Sequence, residues 1–284
     1  MSTGKGQDRL GGGLEASVAQ RADENFVVHA TWAVNRTPGM ASRVTPHLVI
    51  ADSGLRCDTF NFICRARLDA RSASDVAAAA VAYFRECGRP FSWWVGPADR
   101  PDDLGRTLEA VGLARAETEL AMALPLRELP GQPSPVPGLE VRRVGKPAEL
   151  DTYAELSAAN WTPPDPNVLA FYRLAAAALL RRESPQWLYV GYLEGVPVAT
   201  AEATVADGTA GLYNISTRPP YRGRGIGSMM TWRPLHDALA RGCDLGVLQA
   251  APEGVSIYRR LGFRPFGDIT EFKPGSEGPA EEAT

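Results

Sequence analysis

The residues whose types and spacing are best suited to chemistry run from Asn214 to Ser228, Asn-Ile-Ser-Thr-Arg-Pro-Pro-Tyr-Arg-Gly-Arg-Gly-Ile-Gly-Ser. Gly223, Gly225 and Gly227 lack a Cβ, so the backbone there can take positive φ and approach a ligand closely. An extended run precedes them and a helical pattern follows. The first N–H groups of that helix have no intrahelical partner, and the helix dipole favours an anion at the same end. Arg218, Arg222 and Arg224 add charge that a phosphate can meet in bidentate fashion. The chemistry is that of holding a pyrophosphate. A P-loop would need a lysine after its glycines, and Ile226-Gly227-Ser228 offers none. A dinucleotide fingerprint starting at Gly223 would need glycine where Ser228 stands.

Several elements must position this loop. Trp187–Leu193 and Val198–Val205 read as a hairpin, and Asp207-Gly208 turns the chain into a third strand, Gly211–Ser216, which delivers it to the glycines. Ser228 to Arg241 is helical in pattern, Gly242 stops it, and Asp244–Gln249 is a short buried strand. A helix with Tyr258 then leads to Gly262-Phe263.

The pattern Arg222-x-x-Gly225-x-Gly227, followed after a helix and a strand by Tyr258-x-x-x-Gly262-Phe263, resembles the GNAT superfamily of acyl-CoA-dependent N-acyltransferases. The resemblance implies a layered α/β fold of two GNAT-like domains, each a mixed and mostly antiparallel central sheet flanked by helices, with two strands splayed apart at the acyl-CoA site of the C-terminal domain. It implies acetyl-CoA as cofactor. Ile215, Ser216 and Thr217 would bond the pantetheine arm, and Arg222, Gly223, Arg224, Gly225, Ile226, Gly227 and Ser228 would hold the pyrophosphate. Tyr258 stands where the family has the tyrosine that protonates the departing thiolate; its alternative is a half-buried helix tyrosine packed on the sheet. Many relatives have Asn about seven residues earlier, where this chain has Ala251, leaving Gln249 or backbone carbonyls to serve.

Acyl transfer to an amine needs a neutral amine, a stabilised oxyanion and a protonated leaving thiolate. Glu202 is the only carboxylate in the middle of the central strand run, and reads either as the base or as a solvent-facing strand residue. For the acceptor, a small-molecule amine or a peptide, Trp161 and Asp165 precede a helix through Phe171, Tyr172 and Leu179. Trp161 reads as an acceptor wall or a core tryptophan, and Asp165 as a cation-attracting group or a helix cap. The rival to an enzyme is a CoA-binding sensor or structural protein without turnover. A nicotinamide-dependent dehydrogenase is disfavoured by the loop spacing.

At 284 residues the chain is long for one such domain. A Pro- and Gly-rich linker, 128–138, divides it into a first domain, 21–127, and a catalytic domain, 139–274, with disordered tails at 1–20 and 275–284. The first domain repeats the order of the second: a hairpin around Asp52-Ser53-Gly54, a helix from Ser74 to Gly88, a strand from Phe91 to Pro97, a helix from Asp102 to Ala110, Gly112-Leu113 and a strand from Thr118 to Leu124. Leu108 falls where Tyr258 stands, and Ser72 to Ala77, with Asp75 among them, fall where the glycine loop stands. The first domain is thus expected to be degenerate, as in tandem bacterial acyltransferases. Trp93 and Trp94 would serve it as packing, or as a wall of the acceptor pocket.

The net charge of −3 disfavours nucleic-acid binding. Cys57, Cys64, Cys87 and Cys243 and His29, His47 and His236 show no metal-ligand spacing. No apolar run approaches the ~20 residues of a membrane span, and no signal peptide is visible. These readings lead to a cytoplasmic, metal-free protein, monomeric with an internal pseudo-dimer or homodimeric.

Overall fold

A computed structural model describes residues 12–275. Among these residues one sheet of eleven strands runs from end to end, in the order β1-β2-β3-β4-β11-β5-β10-β9-β8-β7-β6. The first half of the chain supplies β1 (Ala41–Val44), β2 (Val49–Asp52), β3 (Phe62–Cys64), β4 (Ser92–Val95) and β5 (Leu113–Pro125). The second supplies β6 (Leu139–Arg143), β7 (Gln186–Leu193), β8 (Val196–Ala206), β9 (Thr209–Thr217), β10 (Leu245–Ala250) and β11 (Arg264–Pro274). All pairings are antiparallel except β3 with β4 and β9 with β10.

The sequence repeat has a structural counterpart. In each half two parallel strands are joined through a helix, α2 (Ala73–Glu86) in the first and α6 (Ile226–Leu239) in the second. A short helix follows, α3 (Leu104–Ala110) or α7 (Val255–Arg260), and then a long strand. The turns into those strands use Gly112 and Gly262 at φ 89° and 93°, a conformation that costs glycine little. The two long strands have exchanged places: β11 lies between β4 and β5, and β5 lies between β11 and β10. Met122 and Leu124 of β5 therefore pack in one core with Met230, Leu248 and Phe263, while Phe272 of β11 packs with Phe84, Trp93 and Leu108. Each half completes the other's core. Truncating a side chain such as Phe272 would cost about 3–5 kcal/mol and would act on the first half from the second.

The exchange could not be foreseen from local pattern. A second departure concerns the N-terminal tail, expected to be disordered through Gln20: the chain is helical over α1 (Gly12–Thr31). Val18, Ala19, Asn25, Phe26 and Ala30 of that helix are buried. Residues 276–284 of the expected C-terminal tail, and 1–11 of the N-terminal one, lie outside the described residues. The segment read as a linker packs on the second half, where Val136 and Leu129 join its core and the Pro130 carbonyl accepts from Trp232 Nε1 at 2.9 Å.

The helices α4 (Pro147–Ala158) and α5 (Pro166–Leu179) bury Tyr153, Phe171 and Tyr172 against Leu188 and Val190 of β7. Among the described residues no helix is long and apolar enough to cross a membrane.

Candidate active site

Strands β9 and β10 pair in register only from Thr209↔Leu245 to Leu212↔Leu248, and beyond that they part. The parting coincides with a bulge in β9 against β8, between the pairs Ser216↔Thr200 and Tyr213↔Glu202. Asn214 takes φ 51° there, a left-handed conformation that Asn tolerates better than most residues. The expected splay of two strands is present, and a cleft of about 1110 Å³ opens at it.

Ile215, Ser216 and Thr217 line this cleft, as do Arg222, Gly223, Gly225, Ile226, Gly227 and Ser228. Gly223 and Gly225 adopt φ 75° and 83°. Gly225 is the N-cap of α6 without any side-chain cap, so the first amides of the helix are left for a ligand. A Cβ on Gly227 would lie 3.3 Å from Ile257 Cδ1, whereas one on Gly223 would meet nothing within 4 Å. The loop is therefore open on its outer side and tight against α7. Arg222 Nε donates to the Thr217 carbonyl at 2.9 Å, which ties the loop to the end of β9. Arg224 does not line the cleft; it donates to the Pro220 carbonyl and lies over the Tyr221 ring. These open amides and the size of the cleft fit a diphosphate-bearing cofactor.

Tyr258 stands on the same cleft. Burial, with a contribution from the Glu119 carboxylate, pushes its hydroxyl up to about 12, so it carries its proton at neutral pH. A Cβ on Gly254 would come 2.8 Å from Tyr258 Cε2, so glycine at that place leaves room for the ring. Ala251 and Gln249 also line the cleft.

Glu202 is not a solvent-facing strand residue. It is 2% exposed, because α1 covers the face of β8 that a lone hairpin would leave to water. Its oxygens accept from Gln186 Nε2 at 3.2 Å and Asn214 Nδ2 at 3.0 Å, and its Oε1 lies 3.1 Å from His29 Nδ1. It lies on a small cavity of about 60 Å³ beneath the cleft rather than on the cleft itself. Trp161 is on the cleft wall and 44% exposed, not in the core. Asp165 is away from the cleft and caps α5, accepting from the Asn167 backbone N–H at 2.8 Å. Trp94 lines the cleft, while Trp93 is fully buried in the core of the first half.

Sequence reasoning missed the groups that the first half brings to the cleft. His29 and Phe26 come from α1, Asp58 and Phe62 from around β3, and Glu117 and Glu119 from β5. From β11 come Glu271 and Lys273, whose Nζ lies 2.9 Å from Asp58 and 3.2 Å from Glu271. Burial first, then the charges of Glu117 and Glu271, push the Glu119 carboxyl up to about 7. In the first half, the counterpart of the glycine loop is a helix start at Ala73 with Asp75 in its first turn, and Leu108 is fully buried where the second half has Tyr258.

Comparison with known proteins bears on this arrangement. Residues 150–263 match the model of the acetyltransferase (GNAT) family. A GCN5-related N-acetyltransferase from Kribbella flavida superposes with a TM-score of 0.69 at 20% identity, covering 91% of this chain and 96% of that one. A tandem GNAT protein from the clavulanic acid biosynthesis pathway gives 0.60 at 14% identity, with 91% and 97% covered. A GCN5-related N-acetyltransferase from Sphaerobacter thermophilus gives 0.57 at 17% identity, over 80% and 79%. No match is found among curated proteins.

Proposed function

We propose, from the match of residues 150–263 to the acetyltransferase (GNAT) family, that this chain is an N-acetyltransferase moving an acetyl group from acetyl-CoA to a primary amine by direct attack in a ternary complex. One observation carries the reading: the uncapped start of α6, the splayed ends of β9 and β10 and the Tyr258 hydroxyl all open on a single cleft. The amides from Gly225 to Ser228 hold the pyrophosphate, with Arg222 and Arg224 adding charge near the loop, and Ile215 to Thr217 offer backbone to the pantetheine arm. Acetyl-CoA supplies the activated thioester. Tyr258, protonated at neutral pH, gives its proton to the sulfur as the C–S bond breaks. In this reading the catalytic domain spans 139–274, and the first domain, 21–127, binds no cofactor because Asp75 and Leu108 replace the loop and the acid.

The acceptor is a cationic amine, small-molecule or peptide. Asp58, Glu117, Glu119 and Glu271 outnumber Lys273 on the far part of the cleft, and Phe26, Phe62, Trp94 and Trp161 add aromatic faces there. Two of these carboxylates belong to the exchanged strand β5, so the first half shapes the acceptor chamber. The protein would act in the cytoplasm, as a monomer with its pseudo-dimer built in or as a homodimer.

Release of free thiol from acetyl-CoA, followed with diamines, aminoglycosides and lysine peptides, tests the reading. CoA release that requires one class of amine supports it. Binding of acetyl-CoA without turnover toward any of them would favour a CoA-binding sensor or structural protein instead. Tyr258→Phe is expected to lower kcat by about 10²-fold or more with little change in acetyl-CoA affinity; equal turnover would remove its role as the acid.

A further inference from the structure

His29 belongs to the first half of the chain, yet its ring lies in the second half's site. It stacks on Tyr213 at 3.8 Å between centroids with an interplanar angle of 14°, one residue before the bulge at which the cleft opens. With Thr59, Phe62 and Asn214, it forms the partition between the large cleft and the small cavity that Glu202 lines. Its side chain is 13% exposed. Nδ1 lies 3.1 Å from Glu202 Oε1 and 3.3 Å from Thr204 Oγ1. Nε2 makes no hydrogen bond among the described residues.

We propose that His29 is the base that takes the proton from the acceptor amine, and that Glu202 is the positioning residue that holds its ring; the proposal rests on the acetyl-transfer reading above. The placement follows from what each neighbour can do. An ionised carboxylate only accepts, whereas the Thr204 hydroxyl can accept or donate. With Glu202 accepting, the pair favours the proton on Nδ1 and leaves the Nε2 lone pair without a partner among the described residues, on a ring that lines the cleft. Glu202 is fixed on its other flanks by Gln186 Nε2 and Asn214 Nδ2, so it cannot swing toward the cleft without breaking both bonds. It is better built to orient a base than to be one. Further titratable groups are Tyr213, stacked on the ring, Tyr172 of α5 on the cavity, and Glu117, Glu119, Glu271, Asp58 and Lys273 on the same cleft.

Nε2 removes one proton from the ammonium of the acceptor and becomes imidazolium. The neutral amine nitrogen forms a bond to the thioester carbon, and the C–S bond breaks. The nitrogen loses a second proton, which passes through solvent to the Tyr258 phenolate left when that hydroxyl protonates the departing sulfur. Amide and free thiol result, and the His29 imidazolium gives its proton to solvent.

The position of His29 is itself specified. Asn25, one turn earlier in α1, is buried and donates to the carbonyls of Thr204 and Thr209 at 2.9 and 3.1 Å, while Tyr213 donates to its Oδ1 at 2.9 Å. Those bonds pin α1 across β8 and β9 and set His29 over Glu202.

Two measurements on the full chain test this. With three histidines in the sequence, ¹⁵N-histidine NMR can assign the ring of His29. The Nδ1–H tautomer is expected in the neutral ring of the wild type, shifting toward a mixture in Glu202→Gln; a wild-type ring protonated on Nε2 would overturn the proposal. In the thiol-release assay with spermidine, kanamycin and a lysine peptide as probes, His29→Ala is expected to lower kcat by about 10²-fold or more. Acetyl-CoA affinity should be kept and added imidazole should restore part of the rate, which a merely structural role would not allow. A His29→Ala variant as fast as an active wild type overturns the assignment of His29 alone. A wild type silent toward all three probes, with acetyl-CoA bound or not, would instead overturn the acetyl-transfer reading on which it rests.

Discussion

Glu117 and Glu271 sit directly opposite each other in the antiparallel pairing of β5 with β11, at the seam where the two halves exchange strands. Like charges so placed repel, and Lys273, 3.2 Å from Glu271, offsets part of the cost. Glu119, two residues along β5, feels both carboxylates.

The raised Glu119 carboxyl, about 7 against an ordinary 4.5, has a consequence for stability. Between those values the folded chain holds the proton more tightly than the unfolded one, so this group's contribution to stability falls as pH rises through that window. Glu119→Gln lacks that loss. At pH 8 the variant should be more stable than wild type by about 1–2 kcal/mol, discounted for screening, and near pH 4.5 the gain should vanish. Thermal melts at the two pH values check this; a difference independent of pH would contradict it. The same substitution should raise KM for a cationic acceptor severalfold.

Gly254→Ala places a methyl group against the Tyr258 ring and should displace it. Turnover is expected to fall by about 10-fold or more while acetyl-CoA affinity changes little, because the loop amides are untouched. Steady-state kinetics beside calorimetry would reveal it; unchanged kcat would mean that the ring position is unimportant.

Gly211→Ala drives a Cβ into Asn25 Oδ1 and to 2.7 Å from the Tyr213 hydroxyl. Both groups belong to the network that docks α1. A loss of about 2 kcal/mol in stability is expected, since buried partners are left unsatisfied, with faster proteolysis near residues 12–31. Wild-type protease resistance would show that α1 is held by other means.

The second half was largely legible in the sequence because its signals are local. The hairpin of β7 and β8, the Asp207-Gly208 turn, the glycine loop and the Tyr258 helix each follow from neighbouring residues. What was not legible depends on partners distant in the chain. A strand such as β5 reads the same whichever neighbours it pairs with, so the exchange and the carboxylates it carries to the cleft were hidden. Helix α1 was obscured by the Gly-rich start, although Val18, Ala22, Phe26 and Ala30 recur every four residues and mark a buried stripe. With α1 unseen, the burial of Glu202 and the role of His29 could not follow. Asp165 turned out to be a helix cap, a reading that its place before Pro166 also allowed.

On the proposed reading, main-chain amides beside Gly225 grip the diphosphate of the cofactor. Gly225 stands at φ 83°, where a β-branched side chain is strained, and valine there would also crowd Val136. Titration calorimetry of Gly225→Val with acetyl-CoA, on protein whose melt confirms the fold, tests the claim most directly. Affinity weakened by about 100-fold or more, some 2.7 kcal/mol, is the expected result. Affinity equal to that of the wild type would contradict it.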